Sequence, residues 1–260
     1  MLDSGTVNEV GRALFACLRD RRTMAPLSAT YPAISIDDAY QISKVFLDQR
    51  IASGEQVVGK KIGLTSEAVQ KMLGVFQPDF GFLTDAMWVR DGVIDTGSLI
   101  APRAEAEIAF RLKSPLKGPG VSPADVLDAT EAVMACFEIV DSRIENWQIG
   151  ITDTIADNAS CGVFVLGESE VDPCSLDLAG LTVTVEKNGE LLSEGSGAAV
   201  QGAPENAVAW LANTLGEYGI PFHAGEIVLS GSMVPLAPAE TGDHFRMQIE
   251  GLGSAEVKFS

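Results

Sequence analysis

The segment LTVTVEKNGELLSEG, Leu181 to Gly195, reads as a β-hairpin: the candidate strand LTVTVEK runs into Asn188-Gly189, the strongest short-range signal of a tight hairpin turn. Outward from this hairpin the texture stays β. Upstream lie AEIAFRL (106–112), VMACFEIVD (133–141) and CGVFVLG (161–167); downstream lie EIVLSGS (226–232) and HFRMQIE (244–250). Only two convincing helices interrupt this half, SPADVLDATEAV and PENAVAWLANTLGEYG, the second with Pro204 in its first turn. Helices and strands do not alternate, so a doubly wound parallel sheet is not expected. The pattern predicts an α+β protein: a mixed, mainly antiparallel β-roll over residues 81–260, behind an α-rich segment over 1–80.

In the N-terminal segment Val7, Val10, Leu14 and Leu18 recur at helical spacing. After the turn-rich APLSATYPA, Ser35 reads as the N-cap of IDDAYQISKVFLDQRIASG, with acids in its first turn and Gly54 at its end. A strand, VVGKKIGLT, and a short helix, SEAVQKMLG, follow.

Composition narrows the function classes. Hydrophobic residues at 46% and charged residues at 21% suit a chain of 260 residues with a full core. No apolar run approaches the ~20 residues of a bilayer span, and the N-terminus lacks the features of a signal peptide, so an untargeted, cytoplasmic protein is expected. Eighteen basic against 36 acidic residues give a net charge of −18, which argues against nucleic acid and anionic membranes as partners. An anionic substrate would then need local positive charge or a metal. The four cysteines show no CxxC spacing, and two sit in apolar runs, so buried free thiols are expected. Two histidines, His223 and His244, leave little material for a zinc site or a Cys–His pair.

The chemistry-bearing candidates are carboxylates. Glu105 and Glu107 are two apart on a predicted strand, so both leave the same face among apolar neighbours. Such a pair loses hydration and repels itself unless a cation or proton intervenes. Glu138 sits in another apolar strand, VMACFEIVD. Three oxygen ligands without histidine or thiolate fit Mg2+ or Mn2+. The alternative is a solvated sheet face, or pairing with Arg103 and Arg143.

In VVGKKIGLT, alternation sends Lys61 to one face between Gly59 and Gly63, whose missing side chains would leave room for a ligand. Lys60 goes to the other face and reads as a snorkelling edge lysine. In GVFQPDFGFLTD, Asp79 is expected in a Pro-Asp-x-Gly turn, either capping its own backbone or held as a rigid carboxylate. ADNASCG places Asp157, Asn158 and Ser160 in a polar loop. MVPLAPAETGD is a Pro-rich loop that either walls a pocket or crosses the surface.

Together, APLSATYPAISIDDAYQI, VVGKKIGLTSEAVQKMLGVFQPDFGFLTD, PRAEAEIAF, CFEIVDSRIENW, DTIADNASCGVFVLG and AVAWLANTL with GEIVLSGS resemble the 2-hydroxypenta-2,4-dienoate (2-oxopent-4-enoate) hydratases of aromatic meta-cleavage pathways, within the fumarylacetoacetate hydrolase-like group. The resemblance implies a β-roll catalytic domain and a Mg2+ or Mn2+ ion held by Glu105, Glu107 and Glu138. It implies Lys61 and Asp79 as the proton-handling pair and Ser160 as a substrate or water contact. The implied partners are a small 2-oxo or 2-hydroxy dienoate, further copies of the chain in a pentamer or decamer, and a decarboxylase or aldolase of the pathway. The 4-oxalocrotonate decarboxylases share the metal site and the ADNAS loop but typically continue with serines where Cys161-Gly162 stands here. The residues are also compatible with a hydratase for longer or dicarboxylate dienoates, or with a subunit that lacks turnover.

Overall fold

The computed structural model describes residues 1–65, 70 and 77–260, so the expected helix SEAVQKMLG lies, apart from Gln70, outside the described residues. The described helices are α1 (Ser4–Asp20), α2 (Leu27–Thr30), α3 (Ile36–Ala52), α4 (Pro123–Ala129), α5 (Ile151–Ala156) and α6 (Pro204–Glu217). The strands are β1 (Val57–Gly63), β2 (Asp79–Thr84), β3 (Val93–Ile94), β4 (Arg103–Leu112), β5 (Thr130–Val140), β6 (Cys161–Leu166), β7 (Thr182–Lys187), β8 (Glu190–Ser196), β9 (Ile227–Leu229), β10 (Ala237–Pro238), β11 (His244–Ile249) and β12 (Gly253–Phe259).

The larger sheet runs β2-β1-β9-β4-β5-β6, with β10 added along β4; the smaller runs β3-β12-β11-β7-β8. Every pairing between these described strands is antiparallel except β1 with β9 and β12 with β3, which matches the expected mixed, mainly antiparallel architecture. The hairpin at Asn188-Gly189 forms as read, with both turn residues at positive φ. The main core lies between the sheets, where Ile108, Phe110, Val133 and Phe137 meet Val183, Phe245 and Val257. Phe137 and Phe245 contact edge to face across it at 6.3 Å.

α1 and α3 build a second core from Val10, Leu14, Ile42 and Phe46, closed by Ile144, Ile155 and Ala156. Ser35 caps α3 in a reciprocal capping box with Asp38. β1 precedes residue 80, yet it pairs with both β2 and β9, so the larger sheet draws on both parts of the chain. That central position corrects the reading of Lys60. It is no edge lysine: buried on the sheet's far side, its ammonium meets Glu226 at 2.5 Å and lies 5.0 Å from the Phe222 ring centre. Cys17, Cys136 and Cys161 are buried free thiols as expected, whereas Cys174 is exposed.

Candidate metal centre

β4 and β5 form the longest ladder of the larger sheet, and its register sets Glu105 directly opposite Glu138 and Glu107 opposite Cys136. Cross-strand neighbours share a face, so the period-2 spacing of Glu105 and Glu107 and the pairing with Glu138 converge three carboxylates on one spot. One oxygen from each lies within 4.8 Å of the others. Glu107 and Glu138 are at most 1% exposed, and Glu105 reaches partly into a cavity. Neither anticipated arginine neutralises the group. Arg143 is committed to Asp157 at 2.5 Å, and Arg103 stacks on Trp147.

Burial pushes the Glu105 carboxyl up to about 7, with the Glu138 charge adding to the shift. Burial likewise raises Glu107 well above the carboxylate range, reinforced by Glu138 and Glu105. Glu107 Oε2 accepts a hydrogen bond from the Gly231 backbone N–H at 2.8 Å, while its Oε1 and Glu138 Oε2 have no hydrogen-bond partner among the described residues. Buried carboxylate oxygens are rarely left so. Three acids crowded together with free oxygens suit a hard divalent cation.

Lys61 lies on the same face, 2% exposed, with its ammonium 3.1 Å from Glu138 Oε1. Burial alone would lower its pKa, but Glu138, Cys161, Asp79 and Glu105 together raise it above the ordinary lysine range. The space beside it is not open as the flanking glycines suggested. A Cβ at Gly59 would collide with the Ile227 carbonyl of β9, and one at Gly63 would collide with Asp79 Oδ1 and come within 3.5 Å of Lys61 Nζ. Gly63 therefore makes room for Asp79, and both reactive side chains sit over it.

Asp79 does not occupy a turn. It is the first residue of β2, paired with Gly63, and is 1% exposed. The expected turn gives way to a strand start, because a proline such as Pro78 is tolerated just before a strand where its missing N–H is not needed. Thr154 of α5 donates its hydroxyl to Asp79 Oδ2 at 3.2 Å, whereas Oδ1 has no partner among the described residues. Burial lifts the Asp79 pKa above its usual value, against the lowering pull of Lys61 and Thr154.

Ser160 completes the row, its Oγ 3.5 Å from Thr154 Oγ1. It ends a run of three buried residues, Asn158, Ala159 and Ser160, all left-handed at φ of 54°, 51° and 53°. Such backbone is strained for residues with a Cβ and persists only where surroundings fix it. Here the Asn158 amide both accepts from Phe82 N–H and donates to Phe82 C=O, extending β2's pairing with a side chain. The buried Arg143 guanidinium spans the same loop, donating to Asp157 Oδ1 and to the carbonyls of Asp157 and Cys161. The structure thus brings all six expected residues together, and adds Thr154, Gly231 and the Arg143–Asp157 pair. No local signal marks those additions, because each acts through contacts distant in sequence.

A cavity of about 270 Å3 opens beside Glu105 and Gly63, walled by Leu64, Met233, Val234 and Leu236. The Pro-rich loop after β9 is therefore a pocket wall.

Residues 84–260 match the family model described as fumarylacetoacetate (FAA) hydrolase C-terminal. The chain is 56% identical, over 100% of both sequences, to a 2-hydroxyhexa-2,4-dienoate hydratase of Comamonas testosteroni. It is 57% identical to a 2-hydroxypent-2,4-dienoate hydratase of Pseudomonas putida, covering 84% of this chain and 100% of the other. Among solved structures, the 4-oxalocrotonate decarboxylase of Pseudomonas putida G7, complexed with magnesium and adipate, superposes with a TM-score of 0.97 at 36% identity, over 100% of this chain and 99% of the other.

Proposed function

Because the chain belongs to the fumarylacetoacetate hydrolase family, and within it to the 2-hydroxydienoate hydratases, we propose that it hydrates 2-hydroxypenta-2,4-dienoate to 4-hydroxy-2-oxopentanoate in aromatic catabolism. The observation that carries the reading is the convergence of Glu105, Glu107 and Glu138 on one buried spot beside Lys61 and Asp79.

The three glutamates would hold Mg2+ or Mn2+. When bound, such an ion would supply concentrated positive charge that neutralises the anionic end of the substrate and stabilises negative charge developing on its oxygen. Side chains do the rest. Asp79 Oδ1, left free while Thr154 holds Oδ2, takes the proton of the C2 hydroxyl. Lys61 Nζ, kept protonated by the surrounding carboxylates, delivers a proton to C5, giving the conjugated 2-oxo-3-enoate. Water then adds at C4 with a proton to C3, and Ser160 orients substrate or water. What supports this division is that the carboxylates around Lys61 favour its charged form, while burial raises the affinity of the Asp79 carboxylate for a proton.

The likeness to a decarboxylase supports a second reading, loss of CO2 from 4-oxalocrotonate on the same carboxylates. Product analysis separates them. With Mg2+ or Mn2+, the enzyme is expected to consume 2-hydroxypenta-2,4-dienoate and yield 4-hydroxy-2-oxopentanoate, releasing no CO2 from 4-oxalocrotonate. CO2 release without hydration would select the second reading.

The reading extends to a ring-shaped homo-oligomer, a pentamer or decamer, that acts beside a decarboxylase or aldolase of the pathway in the cytoplasm. Leu191 and Leu192, exposed on the edge strand β8, supply surface for contact between copies. None of the described helices is long and apolar enough to cross a membrane.

A further inference from the structure

The segment from Thr154 to Ser160 meets β2 at two places, and side chains make both contacts. At one, Thr154 Oγ1 donates to Asp79 Oδ2 at 3.2 Å. At the other, three residues along the strand, the Asn158 carboxamide accepts from the Phe82 N–H at 2.8 Å and donates to the Phe82 carbonyl at 2.9 Å. An antiparallel strand exchanges this same pair of bonds with a residue of its neighbour. β2 ends the strand order of the larger sheet, so one side chain stands there in place of a strand. The pairing also fixes which end of the amide is oxygen, because a backbone N–H needs an acceptor.

Asn158 is fully buried and opens the left-handed run that ends at Ser160, in a conformation asparagine tolerates better than most residues with a Cβ. On the strand side, Gly81 makes room for it. A Cβ at Gly81 would come within 2.4 Å of the Asn158 carbonyl oxygen and 2.9 Å of Cys161 Sγ. Residues 79 and 81 of a strand point the same way, so the loop presses on the face that carries Asp79. A single attachment would leave the segment free to pivot, whereas two fix its distance and its angle together. Ser160 lies two residues beyond Asn158, with its Oγ 3.5 Å from Thr154 Oγ1.

We propose that Asn158 is a positioning residue for the reaction: its carboxamide sets this segment against β2 at the register that holds Thr154 on Asp79 and brings Ser160 beside them. The inference rests on the reading in which Asp79 takes a proton and Ser160 orients substrate or water. Asn158 acts through those two residues. The glutamates belong to β4 and β5, whose ladder is built without it, so its loss should slow the chemistry and leave substrate capture intact.

The test uses the full chain loaded with Mg2+, 2-hydroxypenta-2,4-dienoate as substrate, and two variants at the position. Asn158→Ala loses the carboxamide and keeps a strained backbone, whereas Asn158→Gly loses the carboxamide and is at ease at positive φ. Asn158→Gly should therefore melt higher than Asn158→Ala. In both, kcat should fall at least ~10-fold, the scale of a misplaced catalytic group, with KM within about 3-fold of wild type. Asn213 of α6 supplies the control. Its side chain makes a similar clamp on the loop ahead of α4, accepting from the Gly120 and Val121 N–H groups and donating to the Val121 carbonyl. Asn213→Ala should lower the melting temperature and leave kcat unchanged. Wild-type kcat in Asn158→Gly, a rise in KM in place of the fall in kcat, an equal fall in Asn213→Ala, or failure of both Asn158 variants to fold would overturn the proposal. A crystal structure of Asn158→Gly separates its failure from that of the hydratase reading, because Thr154 Oγ1 and Asp79 Oδ2 are expected to move beyond hydrogen-bond distance. That movement, in a protein whose wild type shows no hydration, would retain the positioning role and refute the reaction. Hydration by the wild type, with the contact unchanged in Asn158→Gly, would do the reverse.

Discussion

Asp79 is the residue at which a bland role and a chemical role diverge most cleanly. Its strand-end position gives it no turn to cap, and one carboxylate oxygen is held by Thr154 while the other has no partner among the described residues. Asp79→Asn keeps the shape and removes the titrating group. Turnover should fall ~100-fold or more while the melting temperature barely moves. Wild-type turnover in a folded Asp79→Asn protein would return the residue to a structural role. Lys61→Ala should lose turnover on the same scale in the metal-loaded enzyme, measured by steady-state kinetics beside a metal titration. The shared face of Glu105 and Glu107, and the opposite faces of Lys60 and Lys61, were legible because strand alternation assigns faces from spacing alone. Thr154 was not legible, since a threonine in a short helix becomes notable only when folding brings β2 against it.

At the scale of the element, β1 carries two lysines with opposite duties. Lys61 faces the glutamates, and Lys60 faces Glu226 and Phe222 in the interior. Lys60→Met should therefore damage stability, leaving Glu226 buried without its cation at a cost of roughly 3 kcal/mol in chemical denaturation. The double variant Lys60→Met with Glu226→Leu should recover much of that loss, because an apolar pair needs no compensation. No recovery would mean that the pair has a partner beyond these two. The strand's face assignment was readable, but its burial was not. Alternation says which way a side chain points, whereas the cover on each face comes from distant elements, here β9 and the segment around Phe222. Asp79 was misplaced for a related reason: Pro-Asp-x-Gly is good turn chemistry locally, and only the pairing with Gly63 makes it a strand.

Over the whole molecule, the mixed antiparallel architecture followed from the spacing of strand and turn signals, while the order of strands in each sheet did not, because pairings such as β1 with β9 join segments far apart in the chain. On the proposed reading, the glutamates should make stability depend on a divalent metal. Exhaustive chelation should abolish turnover and lower the melting temperature, and Mg2+ at about a hundred times its Kd should return about 2.7 kcal/mol of stability. Turnover that survives verified metal removal would sink the proposed chemistry. Acidity enters through Glu105, whose folded pKa of about 7 exceeds its usual value of 4.5. The folded apoprotein keeps a proton that the unfolded chain has released, so its stability falls as pH rises from 4.5 through about 7. Metal displaces that proton, so its affinity, followed by calorimetry, should tighten over the same range. The hydrogen bond from Gly231 to Glu107 joins this electrostatic centre to the cavity wall. Whatever immobilises one end of that bond lowers the freedom left to the other. On the proposed reading, ion and substrate would then be heterotropic effectors of one another, and by reciprocity each would change the other's affinity by the same factor.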